Sequence, residues 1–185
     1  MNPVKKILVV DDEEDHLVLI QRSFKNSDHA VIECQSSLKK ALDVIPVFNP
    51  DIILSDFKLP DGDAREIISR YALSVPIIIM TSYGNESQAV ELIKAGAMDY
   101  FIKSPDTFSN INWTIERVWR EWSNMLVHRK TEEDKRMLAE LLDMAPASFV
   151  VHDEQGNFLY ANQKSFEMMN LQVPMHHFLR LNTLF

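Results

Sequence analysis

The chain has 185 residues, 46% hydrophobic and 25% charged, with a formal net charge of −8, a globular composition with room for one domain and part of another. The acidic balance argues against a general nucleic-acid-binding surface, and with Cys34 as the only cysteine no intrachain disulfide can form, which suits a reducing, cytoplasmic setting. No apolar run approaches the ~20 residues that span a bilayer, and the start of the chain lacks the apolar length and small-residue cleavage site of a signal peptide, so no membrane association is expected.

Residues 5–10 read as a short apolar strand, followed by the acids Asp11 to Asp15 and a helical pattern carrying Leu17, Val18, Ile20 and Phe24. A second strand is predicted near Ala30–Cys34, and Ser36 or Ser37 can cap a helix bearing Leu38, Ala41, Leu42 and Ile45. Asn49-Pro50 breaks that helix. The continuous apolar run Ile52-Ile53-Leu54 then reads as a strand covered on both faces, ending at Asp56 before the turn residues Pro60-Asp61-Gly62. A helix over Ala64–Arg70, a strand over Pro76–Met80, a helix over Glu86–Lys94 stopped by Gly96, and a strand over Met98–Lys103 complete the set. Five strands alternating with helices through short connections imply an α/β fold, a parallel sheet with helices on both faces.

From Asp106 a long helical pattern runs to about Asp143. Ile111, Ile115, Val118, Trp122 and Met125 are spaced as a heptad-like seam. His128–Arg136 carries four Lys/Arg, three Asp/Glu and no apolar residue, a solvated face or a weak point. Ala145-Pro146 marks a boundary. Phe149-Val150-Val151, the turn Gln155-Gly156-Asn157 and Phe158-Leu159-Tyr160 read as a β-hairpin. Asn162 can cap a short helix through Phe166, Met168 and Met169, and the stretch beyond, to Phe185, is apolar.

Asp11 and Asp12, Asp56, Thr81 and Lys103 all fall at strand ends on one side of this sheet, where open parallel sheets gather function. Two unit charges ~4 Å apart repel by about 4 kcal/mol at an effective dielectric near 20, so three clustered carboxylates call for a cation. A hard divalent ion such as Mg²⁺ prefers carboxylate oxygens, and a metal beside a carboxylate, a hydroxyl and an ammonium can stabilise a transferring phosphoryl group. Each residue also has a plainer reading. A lone Asp56 would be a solvated loop acid. Glu14 and Asp15 suit a helix N-terminus. Thr81 could cap the next helix, and Tyr100 could simply pack. Trp113, Trp119 and Trp122 read as packing or seam residues, and the six histidines, including adjacent His176-His177, show no metal-ligand spacing.

Taken together, Asp11-Asp12, Asp56, Thr81, Tyr100 and Lys103 strongly resemble the response-regulator receiver domain of two-component signalling, over about residues 4–106. The resemblance implies a flavodoxin-like, doubly wound five-stranded sheet. It implies Asp56 as phosphoacceptor and Thr81 and Lys103 as groups contacting the phosphoryl oxygens, with Tyr100 switching alongside Thr81. It also implies Mg²⁺ held by Asp11, Asp12, Asp56 and the backbone carbonyl of Lys58, with Asp12 the more direct ligand of the acidic pair. Two departures stand out. Relatives often have Lys-Pro where this chain has Lys103-Ser104-Pro105, so the cis bond of that motif is not to be assumed here. Gly62 comes six residues after Asp56, where many relatives place glycine eight residues on, which suggests a shortened loop.

Leu142-Asp143-Met144-Ala145-Pro146, Val151-His152-Asp153-Glu154-Gln155-Gly156 and Tyr160-Ala161-Asn162 resemble the opening of a PAS domain, of which only an N-terminal α+β part would fit. The expected division is a receiver over 1–106, a signalling helix over 107–143 and a partial PAS segment over 144–185. The expected function is a phosphorylation-controlled receiver rather than an enzyme, taking its phosphoryl group from a histidine kinase or phosphotransfer protein. A homodimer is expected through the face of the fourth helix, fifth strand and fifth helix together with the linker helix. No histidine-kinase motif or ATP-binding glycine box is present. The competing readings are a phosphate-independent scaffold or dimerisation module, a PAS ligand site, and a haloacid-dehalogenase-like phosphatase. The last expects Asp-x-Asp after the first strand, which Asp11-Asp12-Glu13 does not supply.

Overall fold

A computed structural model of the chain describes residues 5–25, 30–82 and 86–168. Met169, the His176-His177 pair and the apolar stretch to Phe185 lie outside them. The strands are β1 (Lys5–Val10), β2 (Ala30–Gln35), β3 (Ile52–Asp56), the two-residue pair β4 (Lys58–Leu59) and β5 (Gly62–Asp63), β6 (Ile77–Thr81), β7 (Asp99–Ile102), β8 (Val150–His152) and β9 (Phe158–Ala161). The helices are α1 (Glu14–Ser23), α2 (Leu38–Phe48), α3 (Arg65–Tyr71), α4 (Glu86–Ala95), α5 (Pro105–Ser109), α6 (Ile111–Asp143) and α7 (Gln163–Met168). Two compact units are present, residues 1–123 and 124–185.

In the first unit β2, β1, β3, β6 and β7 form one parallel sheet in that order. This is the flavodoxin-like arrangement, whose strand order reverses between β1 and β3. Alternation along the strands feeds two cores. Leu8, Val10, Ile53, Ile77 and Ile79 pack with α2, α3 and α4 through residues such as Ala41, Ile67 and Leu92. Ile7, Val9, Ile52, Leu54, Ile78 and Met80 pack with Ile20 of α1, Phe108 of α5 and Ile111, Ile115 and Val118 of α6. Strands covered on both sides need unbroken apolar runs, and Ile52-Ile53-Leu54 and Ile77-Ile78-Ile79-Met80 are fully buried.

The punctuation follows the local chemistry. Ser37 caps α2, its Oγ accepting from the Lys40 N–H. Asn49 ends that helix at φ 50°. Gly96 ends α4 at φ +116°, and a Cβ there would stand 2.9 Å from Ala72 Cβ. Glu14 and Asp15 fill the first turn of α1, as expected of N-terminal acids.

The structure corrects two expectations. The long helix does not run unbroken from Asp106: a five-residue α5 ends at Asn110, whose Nδ2 donates to the Asp106 carbonyl at 2.9 Å, and α6 starts after it. The heptad-like seam is also occupied. Ile111, Ile115, Val118 and Trp122 are buried in the first unit, and only Met125, 49% exposed, continues it outward. α6 therefore covers the sheet for its first three turns. The heptad spacing recorded an intramolecular apolar stripe.

In the second unit β8 and β9 pair antiparallel, with a register shift at Val151/His152 and a turn at Gly156, φ +85°. Asn162 organises it. Its Oδ1 accepts from the N–H groups of Phe149 and Ser165 and from Ser165 Oγ, while Nδ2 donates to the Leu142 and Ala147 carbonyls. The Tyr160 hydroxyl lies 3.3 Å from both the Ala139 carbonyl and Asp143 Oδ1. Burial, helped by Asp143, pushes this phenol up to about 12.

Candidate functional site

β1 and β3 are neighbours at the point where strand order reverses, and their carboxyl ends deliver Asp11 and Asp56 to one crevice. Asp11 is fully buried. Its N–H donates to the Gln35 carbonyl at 3.0 Å and its Oδ1 accepts from the Glu13 N–H at 3.0 Å. Oδ2 lies 2.8 Å from Lys103 Nζ and takes no aligned hydrogen bond among the described residues. Asp12 is exposed beside it. Asp56, 7% exposed, pairs in register with Met80. Its Oδ1 accepts from the Lys58 N–H at 3.3 Å and its Oδ2 from Lys103 Nζ at 2.5 Å. Asp11, Asp12 and Asp56 each offer an oxygen within 4.8 Å of the others.

Lys103 reaches this crevice because β7 lies beside β6: its N–H donates to the Thr81 carbonyl at 2.8 Å, and its side chain is only 3% exposed. Thr81, buried, ends β6 opposite Ile102. Tyr100 sits opposite Ile79, half-buried against the core of Leu8, Val10 and Ile53, so its packing role is realised. After Lys103 the chain does not turn through Lys-Pro. Ser104 is extended (φ −154°, ψ 159°) and caps α5, its Oγ accepting from the Thr107 N–H at 3.1 Å, with Pro105 at the first helical position. No cis peptide bond occurs among the described residues.

The loop after Asp56 is built differently from its sequence reading. β4 and β5 close a small hairpin, Phe57 N–H donates to the Met80 carbonyl at 2.8 Å, and Ala64 N–H returns to the Phe57 carbonyl at 3.0 Å. Ala64 stands eight residues after Asp56, fully buried at φ −65°, a conformation that needs no glycine. At Gly62 a Cβ would fall 2.6 Å from Leu38 Cδ2. Asp61 reaches across to accept from the Leu38 and Lys39 N–H groups at 2.8 and 2.9 Å. The Lys39 bond is the main cause that lowers its pKa. The loop is thus tied to the start of α2, a link that nothing in the sequence spacing marks.

The electrostatics follow from burial. Desolvation raises the Asp56 pKa, partly offset by the hydrogen bond and charge of Lys103 and reinforced by Asp11. Burial alone would lower the Lys103 pKa, but the close carboxylates of Asp11 and Asp56 outweigh it and the net shift is upward. One ammonium faces three carboxylates, so the pocket stays net negative. That donor set, with a buried Asp11 oxygen lacking an aligned hydrogen bond, fits a hard divalent cation. Sequence reasoning missed His16 on the first turn of α1: its Nδ1 lies 3.3 Å from Asp11 Oδ1 and 3.2 Å from Lys103 Nζ. Histidine-to-histidine spacing could not reveal it, because its partners come from two other strand ends.

Among the described residues no helix is long and apolar enough to cross a membrane. The family model of the response regulator receiver domain matches residues 7–110. Sporulation initiation phosphotransferase F of Bacillus subtilis is 32% identical over 105 residues, covering 55% of this chain and 84% of that protein. The regulatory protein AtoC of Escherichia coli is 28% identical over 120 residues, covering 63% of this chain; the match spans only 26% of AtoC's length. The signal receiver domain of a putative Luxo repressor protein from Vibrio parahaemolyticus superposes with a TM-score of 0.59 at 22% identity, over 67% of this chain and 96% of that one. With the strand order, the acidic crevice and the family match in agreement, the chain belongs to the response regulator receiver family of two-component signalling.

Proposed function

We propose that this chain is a phosphorylation-controlled receiver whose acceptor is Asp56. Receiver domains are phosphoacceptor signalling domains served by histidine kinases or phosphotransfer proteins, and they bind Mg²⁺ at an acidic pocket. The observation that carries the assignment is Asp56 itself: a carboxylate at the lip of a buried strand, 2.5 Å from the Lys103 ammonium inside a cluster of three acids. In the transfer, an Asp56 oxygen forms a bond to phosphorus as the donor histidine's N–P bond breaks, and the imidazole nitrogen leaves with the electron pair. Asp12, Asp56 and the Lys58 carbonyl, with Asp11 behind them, would hold Mg²⁺, which when bound offsets the charge on the transferring phosphoryl oxygens. Lys103 turns from the Asp56 oxygen to a phosphoryl oxygen, and Thr81 contacts another. Tyr100 shifts with Thr81.

The same proposal assigns residues 107–143 to carrying the change onward and 144–185 to the opening of a PAS segment. It also holds that two copies associate through the face of α4, β7 and α6. Exposed Val90, Ile93, Ile102 and Trp113 on these elements support that face. The test is uptake of acetyl phosphate or beryllofluoride with Mg²⁺, read by mass spectrometry and solution mass. Wild type should take up one group and shift toward a dimer, and Asp56→Asn should do neither. Equal behaviour of the two would favour the phosphate-independent scaffold.

A further inference from the structure

The Lys103 ammonium has three N–H donors and three close partners: Asp56 Oδ2 at 2.5 Å, Asp11 Oδ2 at 2.8 Å as an ion pair without an aligned hydrogen bond, and His16 Nδ1 at 3.2 Å. Two are acids of the acceptor pocket; the third is an imidazole contributed by α1. The same Nδ1 lies 3.3 Å from Asp11 Oδ1, which only accepts, whereas an ammonium only donates; the shorter contact, to Lys103, is met with Nδ1 as acceptor and the ring proton on Nε2. The ring itself is held. It packs against Phe108 with centroids 5.3 Å apart, and Phe108, buried in α5, meets Phe101 edge-on at 6.4 Å. His16 therefore stands on an aromatic support and reaches Lys103 from α1. We propose that His16 is a positioning residue for phosphoryl transfer: its Nδ1 completes a tripod that holds the Lys103 ammonium aimed at Asp56. The inference rests on Asp56 being the acceptor.

A long lysine stem left with the two carboxylates alone samples several orientations, and only those facing Asp56 serve the transferring group. Losing a hydrogen bond to a charged group corresponds to about a tenfold loss in rate. The experiment uses the full chain with Mg²⁺ and acetyl phosphate. His16→Leu fills the same space without an acceptor; His16→Asn returns an oxygen near the Nδ1 position. We expect the limiting phosphorylation rate to fall about tenfold in His16→Leu and to return to within about threefold of wild type in His16→Asn, with the half-saturating Mg²⁺ concentration unchanged in both. ¹⁵N NMR of the metal-free wild type should find the His16 proton on Nε2. A wild-type rate in His16→Leu, an equal loss in His16→Asn at unchanged melting temperature, or a proton on Nδ1 would each overturn the proposal. If wild type takes up no phosphoryl group, the assignment of Asp56 fails instead, an outcome distinct from a phosphorylated wild type with a normal His16→Leu.

Discussion

The two compact units bury different things. The first buries Leu8, Ile52, Ile53, Leu54, Ile77, Ile78 and Ile79 completely, and keeps the polar Asp11, Asp56 and Thr81 at the strand ends. The second exposes Met137, Leu138, Leu141, Met144 and Phe158, and its fully buried side chains include the polar Asn162 and Ser165. An apolar core spreads its stabilisation over many interchangeable contacts. A polar hub concentrates it in a few directional bonds whose partners become costly when one is lost. The first unit should lose stability in proportion to the volume a substitution removes, and the second through the directional bonds of one residue.

The largest effect should come from a cavity in the central strand. Ile53→Ala removes a fully buried side chain of β3 and should cost about 2–5 kcal/mol, read by denaturant unfolding. A loss well below this range would show that the layer of α2 and α3 collapses into the space. Next comes Asn162→Ala, which strands the Phe149 N–H and the Leu142 and Ala147 carbonyls; it should cost about 2–3 kcal/mol. Amide exchange at Phe149 and Ser165 should accelerate accordingly. Unchanged protection there would remove the contrast between the units.

The smallest effect lies at Asp56. Asp56 has a folded pKa above its unfolded value, so its native state holds the proton more tightly. The ionised form therefore costs stability as pH rises from the unfolded value, about 3.9, through the raised folded one. Asp56→Asn should be more stable than wild type at pH 7, and the difference should close as pH falls below the unfolded value. Mg²⁺ should raise the melting temperature of wild type more than that of Asp56→Asn. A variant less stable than wild type at pH 7 would mean that the Lys103 ion pair outweighs desolvation.

Strand existence and order were largely written in the chain. Buried parallel strands demand continuous apolar runs, and Ile52-Ile53-Leu54 and Pro76 to Met80 can be little else. Turn and cap residues such as Ser37, Asn49 and Gly96 act locally and so can be read locally. Asp56 and Lys103 were legible because strand ends in such a sheet share one edge. The heptad spacing of Ile111 to Trp122 was legible as an apolar stripe, but not as to what it covers: a helix pattern specifies a buried face, and only packing names the partner. The break at Asn110, where the side chain turns back to the Asp106 carbonyl, was not legible in the helical pattern. Asp61 on the start of α2 and His16 on Lys103 join residues 22 or more positions apart. Distance along the chain carries no trace of such contacts. Composition, period and capping thus determined the sheet and its acidic edge, whereas tertiary structure alone decided which side chains hold Lys103, because hydrogen bonds across elements form only once the sheet has brought their ends together.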